Sequence, residues 1–137
     1  MSGIWVLAGV AVLVAAFASW RRLTDGRLRA HKDSDRLSAA QVGGVLGERA
    51  TLLQFTSAFC APCRATRRIL DEVAQMIPGV RHVDLDVDDH LELVRELNIA
   101  RTPTILVLDA HGVIVRRASG QPRKADVISA LGEAIPA

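Results

Sequence analysis

Thr51–Ile77 reads TLLQFTSAFCAPCRATRRILDEVAQMI, and a change of pattern inside it decides the fold. Thr51–Phe55 is a compact apolar run, as expected of a buried strand. From Cys60 to Ile77 the period becomes helical. Ile69, Leu70, Val73, Ala74 and Ile77 share one face, Arg67, Arg68, Asp71 and Glu72 the other, and Pro78-Gly79 ends the element. At the junction stand both of the chain's cysteines, in Cys60-Ala61-Pro62-Cys63. Helical geometry brings residues i and i+3 onto one face, within the Cα separation of about 4.4–6.8 Å that a disulfide tolerates. The first cysteine meets unpaired N–H groups and the positive end of the helix dipole, which favour its thiolate, the attacking species in thiol–disulfide exchange. Pro62 suits the first turn because it has no N–H to lose. Arg64, Arg67 and Arg68 add positive potential.

Two other uses of a cysteine pair are weaker. A two-residue loop constrains the unfolded chain very little, so a purely structural disulfide has little purpose here. A zinc site normally takes four Cys/His ligands, and one CxxC supplies two. His31, His82, His90 and His111 are scattered over linker, strand, helix start and turn, and read as surface or locally capping residues.

Outward from this segment the domain reads as β-α-β-α-β-β-α. Upstream, Ser38 can cap a short helix over Ala39–Leu46, closed by Gly47. Downstream, Val80–Val87 alternates, with Val83, Leu85 and Val87 against His82, Asp84 and Asp86. A short helix carries Leu91, Val94 and Leu97. Thr104–Leu108 and Val113–Arg117 form a hairpin about the turn Asp109–Gly112, and a last amphipathic helix carries Val127, Ile128, Leu131 and Ile135. This order predicts an α/β domain with one central mixed sheet flanked by helices, parallel early and antiparallel late.

Arg101-Thr102-Pro103-Thr104 puts a proline at the head of a strand, a candidate cis peptide. With Phe55, Phe59-Cys60-Ala61-Pro62-Cys63, Thr102-Pro103-Thr104 and Gly120, the chain resembles the thioredoxin family over residues 37–137. The resemblance implies the thioredoxin fold, a cis Pro103 packed beside Cys60, and substrate contacts from Phe59, Pro62, Thr102 and Pro103. The Thr102 backbone would pair with an extended substrate segment. Three positions depart from the family's habit. Phe59 stands where Trp is usual, and Gln54 where a buried Asp normally takes the proton of the second cysteine. Asp84 stands where Lys is frequent. Asp84 is therefore a candidate replacement base, with Gln54 orienting a water.

The remaining chain is of another kind. Residues 1–20 hold no charged side chain, and Gly3–Trp20 is an apolar run without proline. At 1.5 Å per residue it spans roughly 27 Å, close to the hydrocarbon thickness of a bilayer. Trp5 and Trp20 sit near its ends, where indoles favour the interface. A cleaved signal peptide is the rival, with Ala16-Phe17-Ala18 as a cleavage site, but no basic residue precedes the run. Arg21, Arg22, Arg27, Arg29 and Lys32 follow it, which orients the later residues to the cytoplasm, with an extracytoplasmic domain as the alternative. Residues 1–20 are thus expected as a single-pass transmembrane anchor, 21–36 as a basic linker touching lipid, and 37–137 as the thioredoxin-like domain.

The net charge of +2 belongs to the linker, because residues 37–137 carry 11 basic and 12 acidic side chains. The nucleic-acid reading suggested by a basic isoelectric point goes with it. What the resemblance implies is a membrane-tethered protein-disulfide reductase in which Cys60 attacks and Cys63 resolves. It needs no metal or organic cofactor, because the dithiol carries the electrons. Its partners are protein disulfides and a donor such as thioredoxin reductase or a membrane thiol carrier. An extracytoplasmic role in cytochrome maturation or disulfide formation is the first alternative, and a soft-metal-binding CxxC module the second.

Overall fold

The sheet is organised about β2 (Ala50–Thr56), every residue of which is buried. The computed structural model describes residues 1–30 and 35–137, so the readings of His31 and Lys32 fall outside the described residues. On one side β2 pairs in parallel with β3 (Val80–Asp86), and on the other it runs antiparallel to β4 (Thr104–Asp109). A parallel pair needs a long crossover, and α2 (Ala61–Met76) supplies it. β5 (Ile114–Ser119) returns antiparallel to β4, and a two-residue β1 (Arg29–Ala30) adds to the far edge, giving the order β1-β5-β4-β2-β3.

Alternate residues of the central strands enter two cores. Leu53, Phe55, Leu106 and Leu108 pack with Leu93 and Leu97 at α3 (Leu91–Glu96). Leu52, Ile105 and Val107 pack with Leu70 and Val73 of α2 and with Val127 and Leu131 of α4 (Lys124–Ala134). The expected mixed α/β sheet flanked by helices is present.

Three expectations change in detail. No helix forms over Ala39–Leu46. The turn that Ser38 starts, with Gln41 N and Val42 N donating to its carbonyl, stops at Gly43 and Gly44, whose positive φ of +93° and +110° leaves the helical region. In the last helix Ile128 is exposed, and Ala130 and Ala134 are buried beside Val127 and Leu131. In α3 Leu91 is likewise exposed and Leu93 is buried.

Within 21–36, expected as a linker, residues 21–30, 35 and 36 are described. The apolar helix α1 (Ser2–Thr24) runs four residues past Trp20, with Arg21 and Arg22 favourable in its last turn and no residue of it buried. Asp25-Gly26 makes the expected turn, β1 follows, and Arg36 bridges to Val113.

Candidate active site

The loop after β2 delivers Cys60 to the start of α2. Cys60 is the N-cap residue, and its sulfur accepts the Cys63 backbone N–H at 3.2 Å. Cys63, one turn on, is buried, while Cys60 is half-buried and Pro62 exposed. The two are joined as a disulfide with a Cα separation of 5.2 Å. The asymmetry is the useful feature: an incoming sulfur can reach Cys60, and Cys63 is shielded behind it.

A second loop meets this one. The Thr102–Pro103 peptide is cis, and Pro103 is buried at the head of β4. Ser57 Oγ and Thr102 Oγ1 share a hydrogen bond of 2.8 Å, which ties the loop before Cys60 to the residue before the cis proline. Thr104 Oγ1 donates to Arg101 O at 2.6 Å, and Gly120 N donates to Pro103 O at 2.7 Å. Phe59 projects fully into solvent beside Cys60. The structure thus brings Cys60, Cys63, Phe59, Pro62, Thr102 and Pro103 to one end of the sheet.

Behind Cys63 lies a polar chain that sequence reasoning missed. Gln54 is fully buried and donates through Nε2 to the Cys63 carbonyl at 2.9 Å. Its Oε1 faces His82 Nε2 at 3.1 Å, and His82 Nδ1 meets Asp71 Oδ1 at 2.6 Å. The His82 side chain is only 6% exposed, which corrects its reading as a surface residue. Both ring nitrogens face side-chain oxygens, Gln54 Oε1 on one side and Asp71 Oδ1 on the other. The signal for this was the position itself. His82 is the register partner of Leu52, so it points under α2, and a strand paired in parallel has helices over its faces where alternation alone suggests water.

Asp84 is the register partner of Gln54. Its Oδ1 accepts from Thr56 Oγ1 at 2.9 Å, and its Oδ2 accepts from Arg67, with Nε at 2.6 Å. Arg67 therefore neutralises Asp84 rather than adding free positive potential to the cysteines, and Arg64 and Arg68 are exposed on the same helix. Among the described residues no group of three or more His, Cys, Asp or Glu side chains is placed to hold a metal ion.

This geometry agrees with what known proteins show. The family model described as Thioredoxin matches residues 41–133. The chain belongs to the thioredoxin family. It is 33% identical to the chloroplastic thioredoxin M3 of rice (Oryza sativa subsp. japonica) over 85 residues, which are 61% of this chain and 48% of that protein. It is 29% identical to a bifunctional thioredoxin reductase/thioredoxin of Mycobacterium leprae, over 62% of this chain and 19% of the relative. The chain thus spans about half the length of the first and a fifth of the second. Among solved structures, Fasciola hepatica thioredoxin superposes with a TM-score of 0.55 at 22% identity, over 64% of this chain and 83% of that one, a likeness of fold. The matched residues surround the CxxC pair, and α1 and residues 25–40 precede them.

Proposed function

We propose that this thioredoxin-family chain is a membrane-tethered thiol–disulfide oxidoreductase that reduces protein disulfides. The observation that carries the reading is the half-exposed Cys60 at a helix N-terminus, with Cys63 buried behind it and the cis Pro103 loop alongside. In the reduced form the Cys60 thiolate attacks one sulfur of a substrate disulfide. A Cys60–substrate bond forms, the substrate S–S bond breaks, and the departing sulfur takes a proton. Cys63 then gives up its proton and attacks the Cys60 sulfur, expelling the second substrate thiol. Two electrons have passed to the substrate, and the Cys60–Cys63 disulfide remains.

In this reading Thr102 and Pro103 hold the substrate as a short added strand, and Phe59 and Pro62 form its apolar rim. Asp84 takes the proton of Cys63, a path that requires the Arg67 contact to open, and Gln54, whose amide is held by the Cys63 carbonyl and His82, positions Cys63 instead of a water. Electrons return from a dithiol donor, and the fusion of a reductase to a thioredoxin in the mycobacterial relative supports a thioredoxin reductase in that part. Membrane attachment is supported by α1, which is 23 residues long, apolar and unburied. The arginines after it favour a cytoplasmic domain.

The test is insulin reduction by dithiothreitol. The full chain should accelerate it and Cys60→Ala should abolish the acceleration. A normal rate in that variant would refute the assignment. Cys63 alkylation followed against pH tests Asp84: Asp84→Asn should displace the profile, and an identical one removes Asp84 from the proton path. A reporter fused after Ala137 tests sidedness, and activity only on the outer side would favour the extracytoplasmic alternative.

A further inference from the structure

The segment that joins the anchor to the domain enters at the same end of the sheet as the cysteines. The rows of the sheet show this directly. Phe55 is the register partner of Thr104, and Thr104 of Ser119. Gly26 N donates to Ser119 O at 2.8 Å, so the residue two past the end of α1 extends that same row. Three strand spacings of about 4.8 Å put Gly26 roughly 15 Å from Phe55. Cys60 follows Phe55 by five residues, and Pro103 immediately precedes Thr104.

The entry is also fixed in place. Asp25 forms an ion pair with Arg101, and Arg101 donates to Ser119 O at 2.9 Å. Gly26 has φ +70°, and a Cβ there would collide with the Gln121 carbonyl, so the chain is seated against that backbone. Leu28 packs on the core between the sheet and α2/α4, and β1 then pairs with β5. The clamp uses Arg101, the residue before Thr102. No residue of α1 is buried, so the helix leaves the domain instead of lying along it.

We infer that the physiological substrate is a disulfide of an integral membrane protein, presented at headgroup level in the membrane that α1 enters. The inference rests on the oxidoreductase and anchor readings above and adds the class of partner. A rigid, short stem holds the redox end of the domain at the bilayer surface, where Phe59 and Cys60 meet sulfurs that a soluble thioredoxin would have to find by diffusion. Restriction to that layer raises the effective concentration of surface-borne disulfides and lowers that of distant ones.

The test uses the full chain, reduced and reconstituted in phosphatidylcholine/phosphatidylglycerol vesicles. Three forms of one fluorogenic disulfide peptide are supplied: soluble, lipid-anchored through two residues, and lipid-anchored through a Gly-Ser spacer of about 30 residues. The expected result is a preference of about tenfold for the short-spacer peptide over the long. Inserting about ten Gly-Ser residues between Asp25 and Gly26, which lets the domain move off by up to about 33 Å, should bring that ratio near one. Turnover of the soluble peptide should be unchanged by the insertion. Equal rates on the two anchored peptides with the native stem, or a preference that survives the insertion, would overturn the inference while soluble turnover upholds the oxidoreductase reading. Turnover of none of the three peptides would overturn that reading as well, and a chain that fails to float with the vesicles would overturn the anchor.

Discussion

The two flanks of β2 are built differently. Towards β4 the neighbours are apolar: Ile105, Leu106, Val107 and Leu108 are fully buried between the two helical layers. Towards β3 only Leu85 is buried, and His82 and Asp84 take the positions beside Leu52 and Gln54. β4 is interior to the sheet and β3 is its edge. A charged network needs at least one member that reaches water, and the edge provides it: Asp71 is half exposed while His82 and Gln54 are shut in. The chain therefore places its stability on one flank of the central strand and its polar apparatus on the other, next to Cys63.

Substitutions on the two flanks should separate these roles, measured by urea denaturation of the full chain in detergent micelles. Leu106→Ala opens a cavity beside Leu53 and should cost about 2–5 kcal/mol. Val83→Ala, on the opposite side of the same Leu53, removes less from a half-buried site and should cost about 1 kcal/mol. Equal losses would mean that the edge is as tightly packed as the centre. His82→Ala leaves Gln54 Oε1 buried without its partner and should cost about 1–3 kcal/mol. Combining His82→Leu with Gln54→Leu removes both polar groups and should recover most of that loss; if the double variant is less stable than His82→Ala, the network is stabilising in its own right. Thr56→Val deletes only the hydroxyl that Asp84 accepts and should cost about 1 kcal/mol. Lys124→Ala breaks an exposed ion pair with Glu72 and should change stability by no more than about 0.5 kcal/mol.

Much of the site is legible in the sequence alone. The CxxC at a strand-to-helix junction located Cys60 and Cys63, and a proline heading a strand located the cis peptide at Pro103. Both signals are local: each depends on a few adjacent residues whose backbone chemistry admits few arrangements. Less local features escaped. His82 read as a surface residue because alternation along one strand does not show that α2 lies over that face. Ala39–Leu46 read as a helix because its composition allows one, and two consecutive glycines took the chain elsewhere. Residues 21–36 read as linker because they are polar and lack a period. Asp25 and Gly26 are held by partners distant in sequence, Arg101, Ser119 and Gln121, which no window of neighbouring residues contains.

By itself, then, the sequence placed the redox pair, the apolar N-terminal helix and the order of the main strands and helices, because hydrophobic period, turn chemistry and motif spacing act over short range. The tertiary structure alone decided that Gln54 and His82 meet behind Cys63, that Arg67 holds Asp84, and that the stem is clamped at the redox end. Each of these is a contact between segments at least nine residues apart, and only the closed sheet fixes which side chains share a row.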